Sequence, residues 1–216
     1  MRAVVGVLLG LVFMAGCKKN PAGELMLSGE LVDARTGGPV EGVEASLEEQ
    51  VVDGGVWVGN WQSAGIAESD ADGHYDVAFQ RTNALKYQVE FSKSLWFTEA
   101  DSLDPNRWRG QESSVYSRAM TPKAWVHLIL GNSQPFAPPP TVRFRFLHAI
   151  PEDHDVHPNT WSQFDGEVPP DPVFCQMEGD ISLPYAVEVL RDGEWTSWVD
   201  SIEVPRFDTT ALVIFY

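Results

Sequence analysis

From Leu25 onward the apolar side chains of this 216-residue chain recur at every second position, and no helical spacing of useful length appears after residue 17. Leu25 to Asp33 reads as a first strand. Val43, Ala45 and Leu47 then alternate with Glu44, Ser46 and Glu48, and Tyr75, Val77 and Phe79 alternate with His74, Asp76 and Ala78. Tyr87, Val89 and Phe91 share one face of a further run, and Val142, Phe144 and Phe146 share another. A period of two marks a strand with one buried face. Between the runs stand Gly37-Gly38-Pro39, Asp53-Gly54-Gly55, Asp72-Gly73 and Asp192-Gly193. Glycine in these pairs supplies positive φ, and proline fixes the exit of a turn. The pattern predicts an all-β chain.

Two units are expected. Residues 25–131 form the first and 141–216 a second, small immunoglobulin-like sandwich. Between them 132–140 (N-S-Q-P-F-A-P-P-P) read as a stiff linker, because consecutive prolines favour an extended chain. One continuous sandwich with a large insertion is the alternative. Val115–Met120 and Lys123–Leu130 read as strands of the first unit. Thr98–Gln111, polar and holding Pro105, reads as a long loop.

The N-terminus sets location. Met1-Arg2 is followed by an almost wholly apolar run from Ala3 to Gly16, then by Cys17 and Lys18-Lys19. The run is shorter than the ~20 residues of a permanent membrane helix and has the plan of a signal peptide. Met14-Ala15-Gly16-Cys17 resembles a bacterial lipobox. The resemblance implies that residues 1–17 are a lipoprotein signal and lipobox, with Cys17 lipidated by a diacylglycerol and a further acyl chain such as palmitate. Two chains meet the requirement for stable anchoring. Residues 18–24 would be a tether. Lys18 after the cysteine implies, in that family, the outer membrane of a Gram-negative bacterium, so the membrane is the expected partner, reached through the N-terminal lipid. A plain secretory signal cut after Gly16, with Cys17 a free thiol, is the alternative.

A second resemblance rests on G-E-L-V-D-A-R-T-G-G-P-V-E-G-V-E-A-S-L (29–47) and S-D-A-D-G-H-Y-D-V (69–77). These segments resemble the carboxypeptidase regulatory-like domains, which are transthyretin-like (prealbumin-like) Greek-key sandwiches. The matching positions include Gly29, Asp33, Thr36, Gly37, Pro39, Asp72, Gly73 and Tyr75. They are turn and core residues. The resemblance therefore implies a fold and an accessory role, and it lends no catalytic residue.

Thirty-one acidic against fifteen basic residues give a formal charge of −16. That field repels nucleic acid, and no basic cluster offsets it. With Cys17 acylated, Cys175 has no disulfide partner, and its setting in V-F-C-Q-M reads as a buried, inert thiol.

The candidate chemistry is sparse. His148, His154 and His157, three of the five histidines, fall within ten residues beside Asp155. Imidazole and carboxylate suit zinc, copper or nickel. The alternative is a solvated acidic loop whose histidines never meet. Asp70-Ala71-Asp72-Gly73 resembles part of a calcium loop but lacks its distal glutamate, so a turn is expected. Arg143 and Arg145 would pair with cross-strand carboxylates or mark an anion site. Trp57, Trp61, Trp96 or Trp108 would form a sugar-stacking platform if exposed. No G-x-S-x-G, H-E-x-x-H, P-loop or dinucleotide fingerprint is present. The expected function is a non-enzymatic binding or structural accessory without a cofactor. Its alternative is metal or carbohydrate binding by the histidine loop or a tryptophan face, and the protein or carbohydrate partner is left open.

Overall fold

The computed structural model describes residues 23–53, 56–57, 59–132, 140–148, 154, 158–165 and 171–216. The expected signal peptide, Cys17 and most of the expected tether lie outside these residues, as do His157 and Asp155. Among the described residues no helix is long and apolar enough to cross a membrane.

The fold is all-β, two sandwiches in series. The first holds β1 (Glu24–Asp33), β2 (Glu44–Asp53), β3 (Val56–Trp57), β4 (Gln62–Glu68), β5 (His74–Gln80), β6 (Ala84–Ser92) and β7 (Glu99–Leu103). A 3₁₀ turn (Pro105–Trp108) leads to β8 (Ser113–Val115) and β9 (Arg118–Met120). One sheet runs β5-β1-β8, with β9 continuing along the same edge of β1; the other runs β3-β2-β6-β7, with β4 also on β2. Leu25, Leu27 and Leu31 of β1 point into the core with Val77, Phe79 and Phe91, as their alternation predicts.

The 98–111 segment differs from expectation. It is not a plain loop: Glu99–Leu103 is strand β7, and the 3₁₀ turn that follows drives Trp108 into the core. Asp104 caps that turn by accepting from the Asn106 amide at 2.8 Å. Trp108 is 1% exposed, its Nε1 donates to the Met26 carbonyl at 3.0 Å, and Phe79 and Tyr87 meet it edge-on. The polar neighbours of Trp108 disguised one large apolar anchor.

The second sandwich holds β10 (Lys123–Gly131), β11 (Thr141–Phe146), β12 (Ser162–Asp165), β13 (Val173–Glu178), β14 (Ile181–Arg191), β15 (Glu194–Val204) and β16 (Thr209–Phe215). Its sheets are β13-β10-β16 and β12-β11-β14-β15. This corrects the expected division of the chain. β10 pairs antiparallel with β13 and parallel with β16, and Ala124, Val126, Leu128 and Leu130 pack in the second core. The changeover falls between Met120, buried in the first core, and Ala124, buried in the second. Residues 132–140 therefore connect two strands of one sandwich. Alternation marks which face of β10 is buried, but it does not say against which sheet.

Backbone hydrogen bonds tie the units where the chain crosses. Phe97 donates to the Thr121 carbonyl at 2.9 Å, Lys123 to Leu95 at 2.8 Å, and Gly179 to Pro122 at 2.8 Å. Leu95 holds φ of +67° to make that corner.

Candidate functional site

The richest polar constellation lies between the sandwiches. Glu99 begins β7, Arg118 begins β9, and Glu178 ends β13. His154, from the segment between β11 and β12, enters between them with its side chain 7% exposed. Its Nδ1 lies 2.8 Å from Glu178 Oε1, and its Nε2 lies 2.9 Å from Glu99 Oε1. The ring stacks on Phe97 at 4.2 Å between centroids. Each ring nitrogen thus faces a carboxylate, one from each sandwich.

Arginines complete the network. Arg118 donates to Glu99 Oε2 at 2.8 Å and lies 3.0 Å from Asp101. Arg35 reaches from the β1–β2 turn to the Glu178 carboxylate and donates to the Gly179 carbonyl at 3.1 Å. Arg206, in the β15–β16 turn, bridges Asp33 of the first sandwich and Asp180 of the second. Beside it Trp96 meets Phe207 at 5.3 Å between centroids.

The Asp33 carboxyl has two duties. Its Oδ1 accepts from the amides of Arg35 at 2.7 Å and Thr36 at 3.3 Å, fixing the Thr-Gly turn. Its Oδ2 faces Arg206. Burial works to raise its pKa, but the guanidinium and the turn amides outweigh burial and hold it below the usual value. Tyr116 donates to Asp101, and burial together with that carboxylate pushes the phenol up to about 12.

Ala34, Glu99, Arg118, Thr121, His154 and Glu178 line an open cleft of about 560 Å³. Its charges are spent on one another. Ser117 also lines it, but its Oγ accepts the Glu30 amide at 3.0 Å, while both nitrogens of His154 face carboxylates. The two carboxylates sit on opposite nitrogens, so one ion does not reach both through the ring.

Of the expected metal ligands, His154 is in this clasp. His148 lies just past β11, its ring edge-on to Phe146 at 6.3 Å and its carbonyl accepting from Asn159 at 2.9 Å. His157 and Asp155 lie outside the described residues. Among the described residues no three His, Cys, Asp or Glu side chains gather as a metal-ligand set. Asp70 makes a turn: its Oδ1 accepts from the amides of Asp72 and His74, both at 2.9 Å. Cys175 is 1% exposed, and burial pushes its thiol up to about 11.

Trp96 and Trp108 are buried, Trp61 is half-buried, and the side chain of Trp57 lies outside the described residues. Among the described residues the exposed tryptophans belong to the second sandwich: Trp161 at 37%, Trp195 at 45% and Trp198 at 36%. Arg145 stacks on Trp161 at 4.6 Å and Arg143 on Trp195 at 4.5 Å. Arg143 also lies 3.9 Å from Glu188, the cross-strand pairing expected of it.

No family model matches the chain, and no curated protein matches it. Among solved structures it is similar to the TIE protein of Bacillus anthracis, at 8% identity and a TM-score of 0.35, over 89% of this chain and 34% of that one. It is similar to a streptococcal ancillary pilin at 10% identity and a TM-score of 0.35, over 90% of this chain and 62% of that one. It is also similar to the minor pilin GBS52 of Streptococcus agalactiae, at 12% identity and a TM-score of 0.32, over 88% and 94%. The chain thus spans about a third and about three fifths of the first two. Likeness at this level assigns neither family nor function.

Proposed function

We propose that this chain is a lipid-anchored, non-enzymatic module of the outer membrane, two sandwiches clasped into one stalk-and-head body that binds or supports a partner. The observation that carries this reading is His154 bridging Glu99 and Glu178 across the two units. The most elaborate polar cluster joins the protein to itself instead of facing a substrate.

Orientation follows from the anchor. Six residues separate Cys17 from Glu24, a reach of at most about 25 Å. β1 then runs ten residues from Glu24 to Asp33, which touches Arg206 of the second sandwich. At the usual rise that strand is about 33 Å long. The first sandwich is the stalk, and the second is held away from the bilayer.

Fractionation of cells expressing the full chain tests the anchor. The wild type should partition with membranes and into the detergent phase, and Cys17→Ser should appear in the soluble fraction. A wild-type chain that is soluble after export would overturn the anchored reading.

A second reading, carbohydrate binding, is favoured by Trp161 and Trp195, each held by a stacked arginine on the distal sandwich. Polysaccharide retardation in native gels that is lost in Trp161→Ala and Trp195→Ala would support it; unretarded migration would remove it.

A further inference from the structure

We propose that β15 is the edge along which two copies of this chain pair, giving one continuous antiparallel sheet about a two-fold axis at Trp198. The surface follows from hairpin geometry. β14 and β15 join through Asp192-Gly193, with φ of +51° and +81°, between the paired residues Arg191 and Glu194. A two-residue turn makes that flanking pair a hydrogen-bonded one. The even-numbered residues of β15 then turn their main chain toward β14, while Trp195, Ser197, Val199 and Ser201 turn theirs outward. Two bonds at the far end agree with this parity: Asp180 donates to the Val204 carbonyl on the β14 side, and Thr210 Oγ1 donates to the Glu203 carbonyl on the other.

Among the described residues β15 is the longest edge strand. β15 is eleven residues long, without proline, lysine or bulge, its register with β14 is unbroken, and its acids Glu194, Asp200 and Glu203 leave the run Trp195–Val199 uncharged. Every residue from 194 to 201 is exposed, and among the described residues no strand pairs with its outer side. At the opposite edge of the sheet, β12 has four residues. In the first sandwich the edge strand β7 has five and carries Glu99 and Asp101. Proteins ordinarily blunt a long flat edge with charge, proline or a bulge, because its free amides and carbonyls accept another strand.

A second copy fits the edge by charge as well as by parity. Joining outward-facing residues to outward-facing residues requires the axis to fall at a residue. An axis at Ser197 sets Glu194 against Asp200 of the second copy. An axis at Val199 runs the pairing into Glu203, whose carbonyl Thr210 already occupies. An axis at Trp198 sets Ser197 against Val199, Trp195 against Ser201 and Thr196 against Asp200. No acid then faces an acid, which matters between chains that each carry −16. The two Trp198 residues form a non-hydrogen-bonded pair, with Cα atoms about 4.5 Å apart.

That spacing gives the test, run on the full chain in the membranes of cells that express it. Trp198→Cys under mild oxidation should yield a disulfide dimer about tenfold more abundant than Trp195→Cys, whose thiols lie about 20 Å apart across the axis. The wild type, with Cys175 buried, is the blank. Adding Ser197→Pro removes an outward amide while sparing the ladder to β14, and should reduce the cross-link to the Trp195→Cys level. Absence of the Trp198→Cys dimer in folded protein, equal cross-linking at 195 and 198, or indifference to Ser197→Pro would overturn the proposal. Should Trp198→Cys fail to fold, sedimentation equilibrium in detergent decides. The wild type should be dimeric and Ser197→Pro monomeric; the same state in both would refute the pairing.

Discussion

The Tyr75 hydroxyl donates to the Tyr116 carbonyl at 2.6 Å, over a glycine that leaves them room. That glycine is Gly29, paired with Tyr75 across the β1–β5 ladder. A Cβ built there would stand 1.8 Å from the Tyr116 oxygen. The chain passes so close because β8 and β9 both use one edge of β1, with Tyr116 between them. Gly29→Ala should therefore cost about 3 kcal/mol or more, since the obstacle is backbone and cannot rotate away. Tyr75→Phe should cost about 1–3 kcal/mol, the penalty for leaving the carbonyl without its donor. Urea unfolding midpoints measure both.

Trp108 should be the most expensive single truncation in the first sandwich. It is buried against two aromatic rings and donates to Met26. Trp108→Ala should lose about 3–5 kcal/mol by the same urea assay. Trp195→Ala, on an exposed face, should change stability far less.

The pH dependence follows from Asp33. Its ionised form is favoured in the folded state by Arg206 and the turn amides, so its folded pKa lies below the unfolded value. The folded chain then binds fewer protons than the unfolded chain in that window. The stabilisation is complete above the unfolded value of about 3.9 and fades as pH falls toward the lower folded value. Melting temperatures from pH 7 to 2.5 should show this loss, and Asp33→Asn should flatten that part of the curve while lowering stability at pH 7.

Cys175 should report unfolding. Burial and its raised pKa leave little accessible thiolate, so iodoacetamide should label it only when the second sandwich opens. The labelling rate should rise with urea in step with the loss of structure. Rapid labelling of native protein would contradict the burial.

The strands and turns were legible because their signals are local. Alternation over Val43, Ala45 and Leu47 marked a buried face, and Asp72-Gly73 marked a reversal that Gly73 makes with φ of +78°. The assignment of β10 to the second sandwich was not legible, because period two identifies a face and not the sheet that covers it. The clasp was hidden for a related reason. His154 and Glu99 lie 55 residues apart, and Asp33 and Arg206 lie 173 apart. His154 stood out for its histidine neighbours in sequence, yet its partners are carboxylates brought by two other strands. The one local hint was the chain of acidic and basic residues at strand ends, and that pattern is common to solvated turns.

His154 and Arg206 join the sandwiches into one body. Residual dipolar couplings measured on the full chain in detergent test this most directly. Amides of both sandwiches should share one alignment tensor in the wild type and report two separate tensors when His154→Phe and Arg206→Ala are combined. Two tensors in the wild type would contradict it.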